Sequence, residues 1–430
     1  MKPSTVNIFG NFGTQNLGNE CTLQAVIHNV RQYLPDAPLR CICTDPEDTS
    51  RRYNVPAVAM SSTYAHRETS TASARRTQPL LRLLRGIVIR IPRELMHWVT
   101  AFKTLKDGRM LIMAGTGMLD DFGIRPFDLH YEIFKWSLLA KLRRCKLLFV
   151  SVGTGRLEHP LSRWFVKAAL ALADYRSYRD RFSRDLLGSL GIAARRDFVY
   201  PDLVFSFPRP AIRREPRHRT GPVVGLGLME YYGRGCRPEH GRAIYHEYIE
   251  KVTTFVAWLL QRGYTVRLLI GDVVYDSRAS DDVIGRLKER HVVYDESRLI
   301  HGPVSSVDQL ISQLAQSEIV VASRFHNVLL ALMLTKPVVS ISYYGRKNEA
   351  LMAEMGLAEY CQRIDDLDPG RLIEQFLALE ERTETLAPYL AQKSEEYRAA
   401  LERQYTAIFD QAPDRRPERG AHAVVTGDRT

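Results

Sequence analysis

The sequence predicts an α/β protein made of two Rossmann-like halves with a cleft between them. Short apolar runs of strand character alternate with helical patterns along the chain, which is the rhythm of parallel α/β architecture. A Pro/Arg-rich segment at 208–221 interrupts this alternation, and the same alternation then starts again. A chain of 430 residues is also long for a single hydrophobic core, which favours two domains.

The first half opens with an apolar strand at Val6–Phe9, a Gly/Asn-rich loop and a helix. Apolar residues spaced by three and four predict that this helix runs from Glu20 to Leu34. Later runs of the same two kinds predict strands at 39–43, 110–113, 147–152 and 175–178, and helices at 129–144, 164–173 and 182–190.

The boundary between the halves is compositional. Segment 208–221 contains three prolines and five arginines and almost no apolar residues, as a linker does. We therefore assign 1–207 to the first domain, with an insertion at about 61–109, and 222–411 to the second; the polar tail at 412–430 is predicted to be disordered. The second domain is predicted to contain strands at 223–226, 265–270, 319–321 and 337–341 and helices at 244–262 and 307–316.

The charge balance favours anionic partners. The chain has 60 Lys and Arg against 49 Asp and Glu, a formal net charge of +11. No run of eighteen apolar residues predicts a membrane-spanning helix, and the first residues lack the apolar stretch of a signal peptide. The six cysteines are scattered, which is typical of reduced thiols, so we expect a cytoplasmic protein.

Residues 75–109 form a basic amphipathic segment. Nine Lys and Arg stand here against two acidic residues, and they interleave with apolar residues and with Trp98. One interpretation is a packed helix with a solvated basic face. The other is a helix lying on an anionic membrane surface, which would place the protein peripherally on the inner face of the cytoplasmic membrane.

The most informative motif contains Arg324 and His326. They follow the apolar run 319–322 and precede a helical apolar pattern, so they lie at the carboxyl edge of a sheet where helix N–H groups favour an anion. A guanidinium binds carboxylate or phosphate, and an imidazole can transfer a proton near neutral pH. This pattern predicts an anion-binding and proton-transfer site; an arginine capping the sheet above a packed histidine is the structural alternative.

Other polar residues follow predicted strands in the same way, and each has a structural alternative as a turn, hinge or ion-pair clamp. No G-x-G-x-x-G spacing, Walker lysine, H-E-x-x-H or G-x-S-x-G motif accompanies them, and we expect no metal. The candidate binding residues in these loops are Asn16, Gly18, Thr116, Gly117, Asp120, Thr154 and Arg179.

Taken in order, these segments resemble the polysaccharide pyruvyl transferase family from about Val6 to Gly356. Asn19, Ala114, Thr116 and Ser323 replace the residues usual in that family. The resemblance rests on the loop 13–20, the Gly-rich segments 114–120 and 153–155, Arg179-Asp180-Arg181-Phe182-Ser183, Ser323-Arg324-Phe325-His326, and Tyr343 or Tyr344 with Lys347.

The resemblance implies a fold similar to GT-B glycosyltransferases and an activity on a sugar. Family members transfer the enolpyruvyl group of phosphoenolpyruvate to a glycan or lipid-linked sugar of a surface polysaccharide or exopolysaccharide, forming a ketal across two hydroxyls. By resemblance, Arg179 and Arg324 hold the carboxylate and phosphate of the donor, Lys347 assists them, and His326 is the general acid. Phosphoenolpyruvate is then a substrate, and no cofactor is needed.

Two other functions fit part of the pattern. A GT-B glycosyltransferase that uses a nucleotide sugar would share the two halves and the cleft. A basic module that binds nucleic acid or another anionic polymer would share the charge. The second is disfavoured because the basic residues concentrate in 75–109 and in the linker, without a recognised nucleic-acid motif, and we expect no nucleic-acid partner.

Overall fold

The computed structural model describes residues 5–62, 79–121, 124–192, 197–208, 221–233, 237–343 and 345–410; for residues 79–89 and 238 it describes the backbone alone. The described residues form two parallel sheets with flanking helices, which confirms the predicted pair of Rossmann-like halves. The first sheet has the order β3-β2-β1-β4-β5-β6-β7 and the second β10-β9-β8-β11-β12-β13. The strands are β1 (Thr5–Phe9), β2 (Leu39–Cys43), β3 (Ala57–Ala59), β4 (Gly108–Ala114), β5 (Lys146–Val152), β6 (Tyr175–Tyr178), β7 (Asp197–Val199), β8 (Val223–Gly227), β9 (Thr265–Leu269), β10 (Leu299–Ile300), β11 (Ile319–Ala322), β12 (Val338–Ser342) and β13 (Cys361–Arg363).

The connections between these strands are mostly helical, as parallel pairing requires. The helices are α1 (Leu17–Tyr33), α2 (Pro46–Tyr53), α3 (Pro79–Thr104), α4 (Leu129–Leu142), α5 (Pro160–Ala171), α6 (Arg181–Ser189), α7 (Pro238–Gln261), α8 (Asp276–Glu289), α9 (Val307–Gln316), α10 (Phe325–Met333), α11 (Lys347–Glu354), α12 (Pro369–Glu381) and α13 (Thr383–Phe409).

The central strands were predictable because both of their faces are covered. Every residue of β1, β8 and β11 is buried, and such strands appear in a sequence as continuous apolar runs. The strands that the sequence did not predict are short and lie at or next to the sheet edges: β3, β7, β10 and β13. The sequence analysis also left α2, α8, α11, α12 and α13 unpredicted. In α2 and α8 a polar composition hides the apolar period.

The last helix joins the two halves. Helix α13 lies in the range that the sequence assigns to the second domain, 222–411, yet its end packs on the first half. Gln404 Nε2 donates to Ser177 Oγ at 2.6 Å, and Ser151 Oγ donates to Gln404 Oε1 at 3.1 Å, all in buried surroundings. The ring of Tyr405 packs 6.2 Å from that of Tyr33 in α1. The second half is therefore tied to the first by more than the linker.

Several predicted segments fall wholly or mainly outside the described residues. These are 63–78 of the insertion, 209–220 of the linker, the tail from 411 onward and Tyr344. The basic segment 75–109 does contain a helix, α3, within its bounds. Among the described residues, no helix combines the length and the apolar character needed to cross a bilayer.

Candidate active site

The carboxyl ends of the two parallel sheets face each other, and their loops touch directly. Asn16, after β1, pairs in a short antiparallel bridge with Asp272, after β9. The Leu17 N–H donates to the Gly271 carbonyl at 3.0 Å, and Asn16 Nδ2 donates to Asp272 Oδ2 at 3.2 Å. In each sheet the strand order reverses beside the first strand of that half, the place where α/β proteins bind ligands.

Arg324 is fixed by a carboxylate that the sequence did not reveal. It precedes α10, and its Nε donates to both oxygens of Asp276 at 3.1 and 3.0 Å while Nη2 donates to Oδ1 at 2.5 Å. Asp276 is fully buried and also accepts the N–H groups of Gly271 and Asp272. Burial opposes the charge of Arg324, but the Asp276 carboxylate outweighs it and raises the pKa of the guanidinium. Despite this pairing, 18% of the Arg324 side chain stays exposed.

His326 lies in the first turn of α10, against the first turn of α1. A Cβ atom at Gly18 would overlap the imidazole, so only glycine lets the two helices approach this closely. The buried Nε2 atom of His326 has no hydrogen-bond partner among the described residues. Burial, then the positive charges of Arg179 and Lys347, lower the pKa of His326 to about 3. The imidazole is therefore neutral at pH 7 in the unliganded site, which limits the general-acid role predicted from the sequence.

Arg179 lies between carboxylates and an aromatic ring. Its Nε donates to Asp180 at 3.2 Å and its Nη1 to Asp202 at 3.5 Å, and its guanidinium carbon lies 4.1 Å from the centre of the Phe325 ring. The buried Nη2 atom has no hydrogen-bond partner in the described structure. Burial raises the pKa of Asp202 to about 6, although the guanidinium opposes this. A side chain at Gly153 would overlap Arg179, so this loop also needs glycine.

Lys347 joins the two halves through a charged contact. Its ammonium group forms a short ion pair with Asp120, which follows β4 in the first half. Two glycines make room for the lysine: a Cβ atom would lie 2.9 Å from Nζ at Gly117 and 3.3 Å from Cε at Gly155. The Gly-rich segments that the sequence singled out thus receive a side chain from the opposite half.

The structure brings most of the predicted residues to one interface between the halves: Asn16, Gly18, Gly117, Asp120, Arg179, Arg324, His326 and Lys347. Thr154 is different, because its buried hydroxyl donates to the Leu119 carbonyl at 2.8 Å and links two loops. Thr116 is likewise buried, and its carbonyl accepts the Gly153 N–H at 3.1 Å. The Thr154 hydroxyl thus holds these loops together, whereas the bond at Thr116 belongs to the main chain.

Three residues of the candidate site were not predicted from the sequence. Asp272 and Asp276 lie beyond the predicted strand 265–270, where a Gly-Asp pair at its end was an available signal. Asn327, on the buried side of α10, is fully buried, and both polar atoms of its amide lack a hydrogen-bond partner among the described residues. Its type and position resemble an ordinary helix residue, so no pattern in the sequence distinguishes it.

The three predicted cations are each matched by a carboxylate. Arg179 contacts Asp180 and Asp202, Arg324 contacts Asp276, and Lys347 contacts Asp120. The cavity beside Arg179 measures about 10 Å³, room for about one water molecule. Within the described ranges, no group of three or more His, Cys, Asp or Glu side chains is arranged to hold a metal ion.

Comparison with solved structures places the fold. A glycosyltransferase from Rickettsia africae ESF-5 superposes with a TM-score of 0.56 at 11% identity, over 95% of this chain and 98% of that chain. The UDP-GlcNAc 2-epimerase from Methanocaldococcus jannaschii gives 0.55 at 12% identity, over 87% and 92%. The UDP-GlcNAc 2-epimerase from Neisseria meningitidis, bound to UDP-GlcNAc, gives 0.54 at 13% identity, over 93% and 99%. These similarities confirm the GT-B-like arrangement of the two halves.

Comparison of sequences identifies the family. No match was found among curated proteins. The model of the family described as polysaccharide pyruvyl transferase matches residues 16–344, more than half of the chain, and this range contains Arg179, Arg324 and His326. The resemblance seen in the ordered motifs is thereby confirmed, and the chain belongs to the polysaccharide pyruvyl transferase family.

Proposed function

We propose that this protein transfers the enolpyruvyl group of phosphoenolpyruvate to a sugar and forms a pyruvate ketal. One observation carries the proposal beyond family membership. Arg179 Nη2 and His326 Nε2 are buried nitrogen atoms without hydrogen-bond partners among the described residues, and both side chains contact Phe325. Buried polar atoms are normally paired, so these two indicate the position of a polar ligand.

The chemistry of the donor fits these groups. A proton from His326 adds to the vinyl carbon, and a sugar hydroxyl attacks the neighbouring carbon as it becomes electrophilic. The proton of this first hydroxyl returns to His326. Inorganic phosphate leaves that carbon, and a second hydroxyl of the sugar closes the ketal while its proton passes to a base. Positioned proton transfer typically contributes about 10²- to 10⁴-fold to the rate.

Binding of the donor would itself favour protonation of His326, the general acid. Its carboxylate and phosphate would compete with Asp202 and Asp276 for the guanidinium groups of Arg179 and Arg324. Negative charge beside His326 favours the imidazolium and opposes the two effects, burial and neighbouring cations, that keep the ring neutral. His326 would thus gain its proton only when the donor is bound.

The acceptor that we propose is a glycan or lipid-linked sugar precursor of a cell-surface polysaccharide or exopolysaccharide. Membership of the polysaccharide pyruvyl transferase family favours this class. The protein would then work in the cytoplasm, in part on the inner face of the cytoplasmic membrane, with no cofactor.

The direct test is incubation with phosphoenolpyruvate and candidate sugars, followed by phosphate release and by a mass gain on the sugar. Arg179→Ala, Arg324→Ala and His326→Ala should each abolish both signals. Arg184→Ala and His301→Ala remove exposed side chains of the same kinds and should leave both signals unchanged. Full activity in the first three variants would refute the site.

A nucleotide-sugar glycosyltransferase is the second candidate, since the epimerases and the glycosyltransferase above share the fold. A thermal-shift comparison separates the two functions. Phosphoenolpyruvate should raise the melting temperature through Arg179 and His326. If a nucleotide sugar protects the protein and phosphoenolpyruvate does not, the glycosyltransferase is the better assignment.

A further inference from the structure

Helix α3 exposes an apolar stripe that no described residue covers. Ile91 is 53% exposed, Leu95 62%, Met96 71% and Val99 54%. Leu95, Met96 and Val99 follow Ile91 by four, five and eight residues, so all four side chains lie on one side of the helix. Monomeric proteins rarely leave several large apolar side chains open together on one element, so this stripe indicates a binding surface.

The opposite side of α3 is firmly attached, so the stripe is not exposed through loose packing. Glu94 accepts a 2.7 Å ion pair from Lys135 of α4, a lysine that is fully buried. Trp98 Nε1 donates to the Tyr131 hydroxyl at 2.8 Å, and Arg143 Nε donates to the Phe102 carbonyl at 2.7 Å. The helix therefore presents its outer face on a fixed support.

Basic residues flank the stripe. Arg90, Arg93 and Lys103 are exposed on α3, and Lys106 is exposed just after it. Glu94, the one acidic residue in α3, is already paired with Lys135. Apolar groups flanked by cations match the apolar interior and anionic headgroups of a lipid surface.

Two exposed aromatic side chains pack on residues of α4, the helix to which α3 is attached. Phe127 and Trp164 are more than half exposed. The Phe127 ring lies 6.1 Å from that of Tyr131, which bonds to Glu94 of α3, and the Trp164 ring lies 5.2 Å from that of Phe134 in α4. Exposed aromatic rings are favoured at the boundary between lipid tails and water.

We propose that the outer face of α3 binds the surface of an anionic lipid bilayer. A second copy of the chain fits this face less well, because a symmetric dimer would bring the basic residues of one face near those of its copy. The proposal concerns attachment alone and does not depend on the identity of the donor or acceptor. It selects the membrane-surface interpretation of the basic segment.

The test is co-sedimentation of the full chain with vesicles of phosphatidylcholine alone or with phosphatidylglycerol added. The wild type should bind the anionic vesicles and release from them at high salt. Arg93→Gln/Lys103→Gln should weaken binding about thirtyfold, from about 1 kcal/mol for each basic residue near a charged surface. Leu95→Glu/Met96→Glu should abolish it, whereas Val293→Glu, at a residue 88% exposed in the other half, should bind as the wild type does.

Each alternative outcome is informative, provided that circular dichroism shows every variant folded. Equal binding to neutral and anionic vesicles would overturn the charge argument. Wild-type binding by Leu95→Glu/Met96→Glu would overturn the choice of surface. If the wild type ignores both vesicles and sediments as a dimer that this variant dissociates, the face is a self-interface and the proposal is wrong.

Discussion

At the scale of single residues, His326 is the group whose chemistry depends most on its surroundings. Its imidazole is neutral in the unliganded site because burial and two nearby cations lower its pKa to about 3. We predict that phospholactate, which carries a carboxylate and a phosphate but no vinyl group, raises this pKa by more than one unit. A titration followed by NMR measures it, with the exposed His301 as a control that should not respond. An unchanged pKa would remove His326 as the proton donor.

From the low pKa of His326 we also predict how the free energy of unfolding depends on pH. In the unfolded chain the imidazole of residue 326 binds a proton near pH 6.5, whereas in the folded protein it does so near pH 3. Between these values the unfolded state holds more protons, so the free energy of unfolding falls as the pH falls from 6.5 to 3. His326→Asn cannot titrate, and its unfolding free energy should decline less over this window. Urea unfolding at several pH values measures the slopes; parallel curves would contradict the prediction.

Asp276 is predicted to be a positioning residue for Arg324. Asp276→Asn removes the counter-charge of a largely buried guanidinium, which costs about 3 kcal/mol of folding stability at the low end for such pairs. Turnover should fall at least tenfold because Arg324 loses its fixed orientation. The KM for the donor should stay the same or fall, since a competing carboxylate is gone.

The control for Asp276 is Asp281→Asn, an exposed aspartate on the same helix. It should change neither the melting temperature nor turnover. If Asp276→Asn loses stability but keeps the turnover of the wild type, Asp276 supports the fold without positioning Arg324.

The site residues that the sequence could identify follow predicted strands, whereas the one that it could not identify is placed by the packing of loops. Arg324 and Lys347 follow the neighbouring strands β11 and β12, and parallel strands end on the same edge of a sheet, so their proximity followed from the pattern. Arg179 follows β6 of the other sheet, and only the family resemblance grouped it with them. Asp276 could not be found in this way. It begins α8, 48 residues before Arg324, and their pairing depends on how two loops pack.

At the scale of elements, the contact between α1 and α10 sets the geometry of the site. Gly18→Ala would place a methyl group in the imidazole of His326 and push the two helices apart. We predict a loss of turnover of at least tenfold. Gly285→Ala is the matched control, because nothing lies within 4 Å of a Cβ atom there and alanine favours its helix. Equal turnover in both variants would show that close helix contact is not required.

Helices and strands were predicted correctly where their burial produces a recognisable pattern of apolar residues in the sequence. Fully buried strands such as β8 and β11 are runs without a polar side chain, and α9 has a clear apolar face. Strand β10 has two residues and lies at a sheet edge, too short for any period to show. Helix α13 crosses from one half to the other, and the sequence contains no signal for which half a terminal helix will cover.

At the scale of the whole molecule, polar contacts between the two halves cross the predicted site. The cavity of about 10 Å³ beside Arg179 is far below the roughly 300–1,000 Å³ of typical ligand pockets. Lys347 with Asp120, and Asn16 with Asp272, connect the two halves across the site. These contacts arise from the docking of two separately folded sheets, so a periodic sequence pattern could not reveal them.

We therefore predict that the halves must separate for the donor to enter, and that a covalent link between them will block binding. Gln15 and Val273 lie opposite each other beside the bridge, and the Val273 N–H donates to the Gln15 carbonyl at 3.2 Å. Because a backbone hydrogen bond joins the two residues, their Cα atoms lie near the roughly 4.4–6.8 Å that a disulfide spans. Gln15→Cys/Val273→Cys, once oxidised, should no longer gain thermal protection from phosphoenolpyruvate, and reduction should restore the protection. Mass spectrometry verifies the bond, and each single variant serves as a control. An oxidised protein that binds the donor as well as the reduced one would show that the closed arrangement already admits it.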